Sequence, residues 1–155
     1  MSSKVFGTGR QGALLTCSRP RYLLDTNVLS EPVRQRPDAA VLHHLDAHGA
    51  QSCTAAMVMH ELHYGAARLD EGRRKHTLLR YLDNTVSRLE VLAYDRAAAL
   101  WHASERAKLE REGRTASFTD GQIASIAAVN DLAVVTANIA QFEPFAVEVI
   151  IWHTR

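Results

Sequence analysis

From Tyr22 onward, short apolar runs alternate with longer stretches of helical patterning. That alternation is the strongest constraint on the fold. Strands separated by helices build a mainly parallel central sheet with α-helices on both faces, an α/β architecture. The expected strands are Tyr22-Leu23-Leu24, residues 51–54, Glu90-Val91-Leu92-Ala93, Leu132 to Val135 and Val147 to Ile151. The expected helices cover 38–48, 55–69, 72–87, a long segment after Asp95 that stops before Gly113, and Thr119 to Asn130.

Local signals support these boundaries. Asp38 and Asp95 stand where helix caps stand, and Gly49 marks a stop. Leu78, Leu79, Leu82, Val86 and Leu89 space as one apolar face. Leu100, Trp101 and Leu109 read as the core-facing residues of the long helix. Thr119 and Gln122 fit a capping box, with Thr119 as the cap.

Composition narrows the class. The chain has 155 residues, 46% of them hydrophobic, enough for one ordinary domain with a core. Eighteen basic against seventeen acidic residues leave a net charge of +1. That balance excludes both a strongly basic DNA coat and an acidic solvating chain. No uncharged apolar run reaches the ~18 residues of a membrane-spanning helix. Cys17 and Cys53 are the only cysteines, too few for a zinc cluster or a disulfide scaffold, which suits a reducing cytoplasm.

Residues 1–20 differ from the rest, with Lys4, Arg10 and Arg19, no acid, and several Ser, Thr and Gly. They read as a flexible N-terminal extension, and 21–155 as the folded domain. Gly7, Gly9 and Gly12 spell GxGxxG, but only Val5 and Phe6 precede it as apolar residues and no periodic helix follows. A phosphate-cradling turn needs a strand before it and a helix after it.

In open α/β sheets, ligands bind at the carboxyl ends of the strands. Asp25 directly follows the first strand, and Asn138 follows Val134-Val135 after two residues. Asp120 sits at a helix N-terminus, which lies at the same edge. Glu61 lies mid-helix among Val58, Met59, Leu62 and Tyr64, with Gly65 one turn on. A mid-helix Gly costs ~1 kcal/mol against Ala, so close approach to that face is expected. Singly, each has a plain structural use: a cap, a dipole contact, a solvated side chain. Gathered at one edge, the acids repel, and a divalent cation relieves that repulsion. Hard oxygen ligands without Cys select magnesium or manganese.

Four blocks carry a resemblance to a known family. They are Asp25-Thr26-Asn27-Val28-Leu29-Ser30-Glu31, His60-Glu61-Leu62-His63-Tyr64-Gly65, Ser117-Phe118-Thr119-Asp120-Gly121-Gln122-Ile123-Ala124, and Val134-Val135-Thr136-Ala137-Asn138-Ile139 followed by Phe142. In that order the chain resembles the PIN-domain ribonucleases, in particular the VapC-type toxins of bacterial toxin–antitoxin pairs. The resemblance implies a PIN-like fold over about 22–151. It implies Asp25, Glu61 and Asp120 as the acidic metal-binding core, with Asn138 as an auxiliary residue. Thr26, Asn27 and Thr136 become residues that orient the carboxylates. Gln141 replaces an Asp often found before the Phe of the fourth block. The implied activity is magnesium-dependent hydrolysis of RNA, with a cognate antitoxin and a homodimer as partners. Arg68, Arg73, Arg74, Lys75 and Arg80 are candidates for phosphate contact, although such a run also reads as a solvated helix face.

Three other readings compete. A non-catalytic binding module could retain the fold, but it gains nothing from clustered negative charge. The same chemistry could act on DNA. His44/His48 and His60/His63 could hold zinc, but His60-Glu61-Leu62-His63 is one residue short of HExxH.

Overall fold

The computed structural model describes residues 19–154 of the chain. Residues 1–18 of the N-terminal extension, with its glycine string and Cys17, lie outside the described residues. Five strands form one sheet: β1 (Tyr22–Leu24), β2 (Ser52–Ala55), β3 (Glu90–Leu92), β4 (Ala133–Val135) and β5 (Val149–Ile150). Their spatial order is β3-β2-β1-β4-β5, and every pairing is parallel. The seven helices among the described residues are α1 (Thr26–Leu29), α2 (Ala39–His48), α3 (Ala56–Ala67), α4 (Arg73–Asn84), α5 (Arg96–Arg111), α6 (Phe118–Val129) and α7 (Ile139–Phe142). None is long and apolar enough to cross a membrane.

The strand order explains where a site can form. The chain runs outward from β1 through β2 to β3, then returns to the other side of β1 with β4. Order reverses between β1 and β4, and the carboxyl ends of that pair are where such sheets bind ligands. Leu24 pairs with Val135, so the next residues, Asp25 and Thr136, emerge side by side. The Asp25 N–H continues the ladder by donating to the Val135 carbonyl at 3.0 Å. Continuous apolar sequence suits strands buried on both faces, and Leu23, Leu24, Val134 and Val135 are all buried. Ile123 and Ile126 of α6 and Phe142 of α7 complete the core around them.

Several boundaries differ from the sequence expectation for local reasons. The helix read as 119–130 begins at Phe118, because Ser117 is the cap and its hydroxyl accepts from the Asp120 N–H at 3.4 Å. Thr119 is already inside the first turn. The helix read as 72–87 ends at Asn84, and a separate 3-10 turn, Val86–Arg88, carries Val86 into the core. β5 is shorter than 147–151, since the Val147 N–H turns back to the Phe145 carbonyl. Leu100 is 63% exposed on α5, whereas Leu109 is buried and Trp101 half-buried. The short α1 is absent from the sequence expectation; it forms because Asp25 caps it.

Candidate active site

Asp25 is the best-held of the acids. One carboxylate oxygen accepts from the Thr26 N–H at 2.8 Å, fixing the start of α1. The other accepts from the Thr136 hydroxyl at 2.8 Å and from the Asn27 amide at 3.3 Å. The Thr136 hydroxyl accepts in turn from Asn27 and from the Asn138 N–H, both at 3.1 Å. Asn27 closes the ring by accepting from the Ala137 N–H at 2.8 Å. This network fixes both oxygens of a buried carboxylate at the carboxyl ends of β1 and β4.

Glu61 reaches the same place from α3 and accepts from the Thr26 hydroxyl at 2.5 Å. Asp120 arrives on the first turn of α6, half-buried. Their charges also act within the group. Burial pushes the Asp25 carboxyl up from its ordinary value; the hydrogen bonds from Thr136 and Thr26 oppose this, and the Glu61 charge adds to it. Burial also pushes Asp120 up, the Ser117 hydrogen bond opposes it, and the charges of Asp25 and Glu61 add to it. Asn138 enters through its backbone N–H, while the residue is exposed.

The donor set is all oxygen. Among the described residues, no three His, Cys, Asp or Glu side chains converge into a ready-made cage. Zinc in a structural site demands such a closed set. Hard oxygen donors of this kind fit a divalent cation. Three of the four histidines considered for zinc lie against aromatic rings. His44 stacks on Trp152 at 5.1 Å and on His48 at 5.7 Å, and His60 lies against Tyr64 at 5.9 Å.

A groove of about 1470 Å³ leads away from Thr26 and Glu61. Arg73 and Arg74 line it, together with Gly65 and Arg34. The other basic candidates are elsewhere. Lys75 pairs with Glu71 at 2.5 Å, Arg68 sits over the Tyr64 ring, and Arg80 lines a separate cleft with His76 and Asp83. Nothing within the protein crowds Gly65: a Cβ there would meet open space. Sequence reading missed a second acidic feature at the rim of this groove. Glu31 is 2% exposed, and it accepts from the Asp38 N–H at 2.7 Å and from Arg34 at 3.0 Å. Its only signal in the sequence is its place as the last residue of the first block.

An all-parallel sheet with Asp25 held at its switch point and Glu61 bonded to the adjacent Thr26 fits the hydrolases that work through metal-held oxygen chemistry. Comparison with known proteins sharpens that class. The PIN domain model matches residues 22–144. The tRNA(fMet)-specific endonuclease VapC of Shigella flexneri is 33% identical over 123 residues, 79% of this chain and 90% of that protein. Toxin FitB of Neisseria gonorrhoeae is 33% identical over 138 residues, 84% of this chain and 98% of that protein. The DNA-bound VapBC structure from Salmonella typhimurium superposes with a TM-score of 0.75 at 29% identity, covering 86% of this chain and 98% of that one. The chain belongs to the PIN-domain family and, within it, to the VapC-type toxin endoribonucleases. Nucleases of this family are generally metal-dependent, and homologues have been crystallised as toxin–antitoxin complexes.

Proposed function

We propose that this endoribonuclease cleaves RNA at Asp25, Glu61 and Asp120, with Asn138 auxiliary and with magnesium or manganese as its ion. The observation that carries the reading is positional: the Thr136 and Asn27 bonds fix the Asp25 carboxylate at the β1–β4 switch point, and Glu61 meets the hydroxyl of the adjacent Thr26. Asp120, pushed up first by burial and then by the charges of Asp25 and Glu61, completes a group of acids that a cation would stabilise. When bound, the ion supplies charge to the phosphate and lowers the pKa of water for attack, leaving a 5′-phosphate and a 3′-hydroxyl.

The protein's own part is positional. Thr136, Asn27 and the Thr26 N–H hold the Asp25 oxygens in one orientation, and the Thr26 hydroxyl does the same for Glu61. Ser117 pins the turn that presents Asp120. Arg73 and Arg74 contact backbone phosphates of the strand in the groove. The substrate is unpaired or loop RNA, whose backbone can enter a crevice. A cognate antitoxin covers the same groove, a homodimer is the assembly, and the cytoplasm, where the RNA is, is the place of action. A purely binding role is disfavoured, since uncompensated acids cost stability without a return. The ribonuclease names of the relatives favour RNA over DNA.

The test is cleavage of single-stranded RNA and of tRNA by antitoxin-free protein, with magnesium or manganese and then with EDTA. Asp25→Ala should lower the rate at least about a hundredfold, because such charge stabilisation is worth several kcal/mol and ~1.4 kcal/mol is tenfold. Cutting that survives EDTA, or an undiminished Asp25→Ala protein, overturns the site.

A further inference from the structure

The geometry points to Phe118 as a stacking platform for an unpaired base of the RNA, one or two nucleotides from the scissile bond. This rests on the proposed site, because Asp120 marks where the strand is cut. Phe118 opens α6, two residues before Asp120, so the two side chains project from nearly opposite flanks of one turn. Their separation is about the ~10 Å width of a helix with its side chains.

A single exposed aromatic is ordinary. This one is built into place. The ring is 54% exposed, yet His102 backs it, with centroids 4.9 Å apart. His102 is itself 3% exposed and is bonded to the Tyr94 hydroxyl at 3.1 Å. It fits under α6 only because residue 121 is Gly: a Cβ there would stand 2.2 Å from the His102 Nε2. His102 of α5, Tyr94 of the segment before it and Gly121 of α6 itself thus hold one apolar ring at the surface, on the same turn as the acid of α6.

The surroundings match a nucleotide. Phe118 borders a cleft of about 180 Å³ that also contains Arg106, Arg114 and Phe145. The Arg106 guanidinium lies over the Phe118 ring at 5.5 Å. Arg106 pairs with Glu110 at 3.0 Å and Arg114 with Glu112 at 3.5 Å, both in exposed geometry. Exposed pairs of this kind are weak, so both arginines are available to phosphate. An incoming base takes the ring face that Arg106 now covers, and Arg106 turns to the backbone beside it. Aromatic stacking with flanking cations is how proteins hold single strands without reading sequence.

The experiment compares wild type, Phe118→Ala and Phe118→Trp in two readouts. The first is binding of a random single-stranded RNA pool in an Asp120→Asn background. Phe118→Ala should bind about 5- to 150-fold more weakly, the range for losing one stacked base, and Phe118→Trp should bind like Phe118. The second is steady-state cleavage, in which Phe118→Ala raises KM by a similar factor and leaves kcat unchanged. An abasic nucleotide placed in turn at each position near the cut should abolish the Phe118→Ala penalty at one of them. Unchanged binding and KM in Phe118→Ala overturn the platform, as does a loss that Phe118→Trp fails to restore. If wild type does not cut at all, the proposed site has failed, and the binding readout still decides for or against stacking.

Discussion

Glu31 is a carboxylate kept charged in the interior by its neighbours. Burial pushes its pKa up, but the Asp38 N–H, the Arg34 guanidinium and the charge of His153 outweigh that and hold it below the ordinary 4.5. A depressed folded-state pKa contributes stability that is present above the unfolded value and lost as pH falls through the folded one. Glu31→Gln should therefore cost about 1–3 kcal/mol at pH 7, the worth of hydrogen bonds to a charged group. The cost should shrink as pH drops below 4.5, where wild type loses its advantage. Urea unfolding of both proteins across that range measures it; a pH-independent gap would refute the account. The places of the proposed acids were legible from sequence, since Asp25 follows a strand, Asp120 opens a helix and Glu61 lies within one, whereas their joint role was read from the resemblance. Glu31 was not legible, because its partners at 38 and 153 are brought to it only by the fold.

At the scale of elements, caps were the most readable feature. Asp38 accepts from the Ala40 N–H and Asp95 from the Ala98 N–H, each at 2.9 Å, and α5 stops just before Gly113, whose φ of +70° suits a glycine. The start of α6 was misplaced because Ser117 and Thr119 are both good caps, and only the backbone conformation at 117 chooses between them. Leu100 shows the same limit, since an apolar residue on a helix does not disclose which face the core will meet. The junction of α5 and α6 carries its own prediction. Gly121→Ala gains ~1 kcal/mol of helix propensity, but a 2.2 Å approach to a buried, hydrogen-bonded ring is severe. Overpacking of that kind costs up to ~3 kcal/mol. The net loss of about 2 kcal/mol should lower Tm by ~4–8 °C for a domain of this size. A variant that melts at or above the wild-type temperature would show that His102 moves aside freely.

For the molecule as a whole, the parallel sheet followed from the β/α alternation, but its order did not, since apolar runs carry no record of which strand they will pair with. The groove was likewise invisible until α1, α3 and α4 came together around it. Only Arg73 and Arg74 of the five basic candidates line it. Replacing both by Glu should weaken RNA binding. It should also reduce the slope of log K against log salt by about 1.4, at ~0.7 per phosphate contact on single strands. Filter binding at several salt concentrations gives that slope, and an unchanged slope would place the strand elsewhere.

The central strand β1 has partners far apart in the chain: Tyr22 pairs with Ser52 on one side, and Leu24 with Val135 on the other. The proposed acids divide the same way, Asp25 and Glu61 in the first half, Asp120 and the orienting Thr136 in the second. At roughly 5–20 residues per second on the ribosome, the second half follows the first by several seconds. During that interval β4 has not been made, Asp25 lacks its Thr136 partner, and the third carboxylate has no helix to stand on. On the proposed site, a growing chain therefore carries an incomplete set of acids until the strand bearing Thr136 has been synthesised and has docked beside β1.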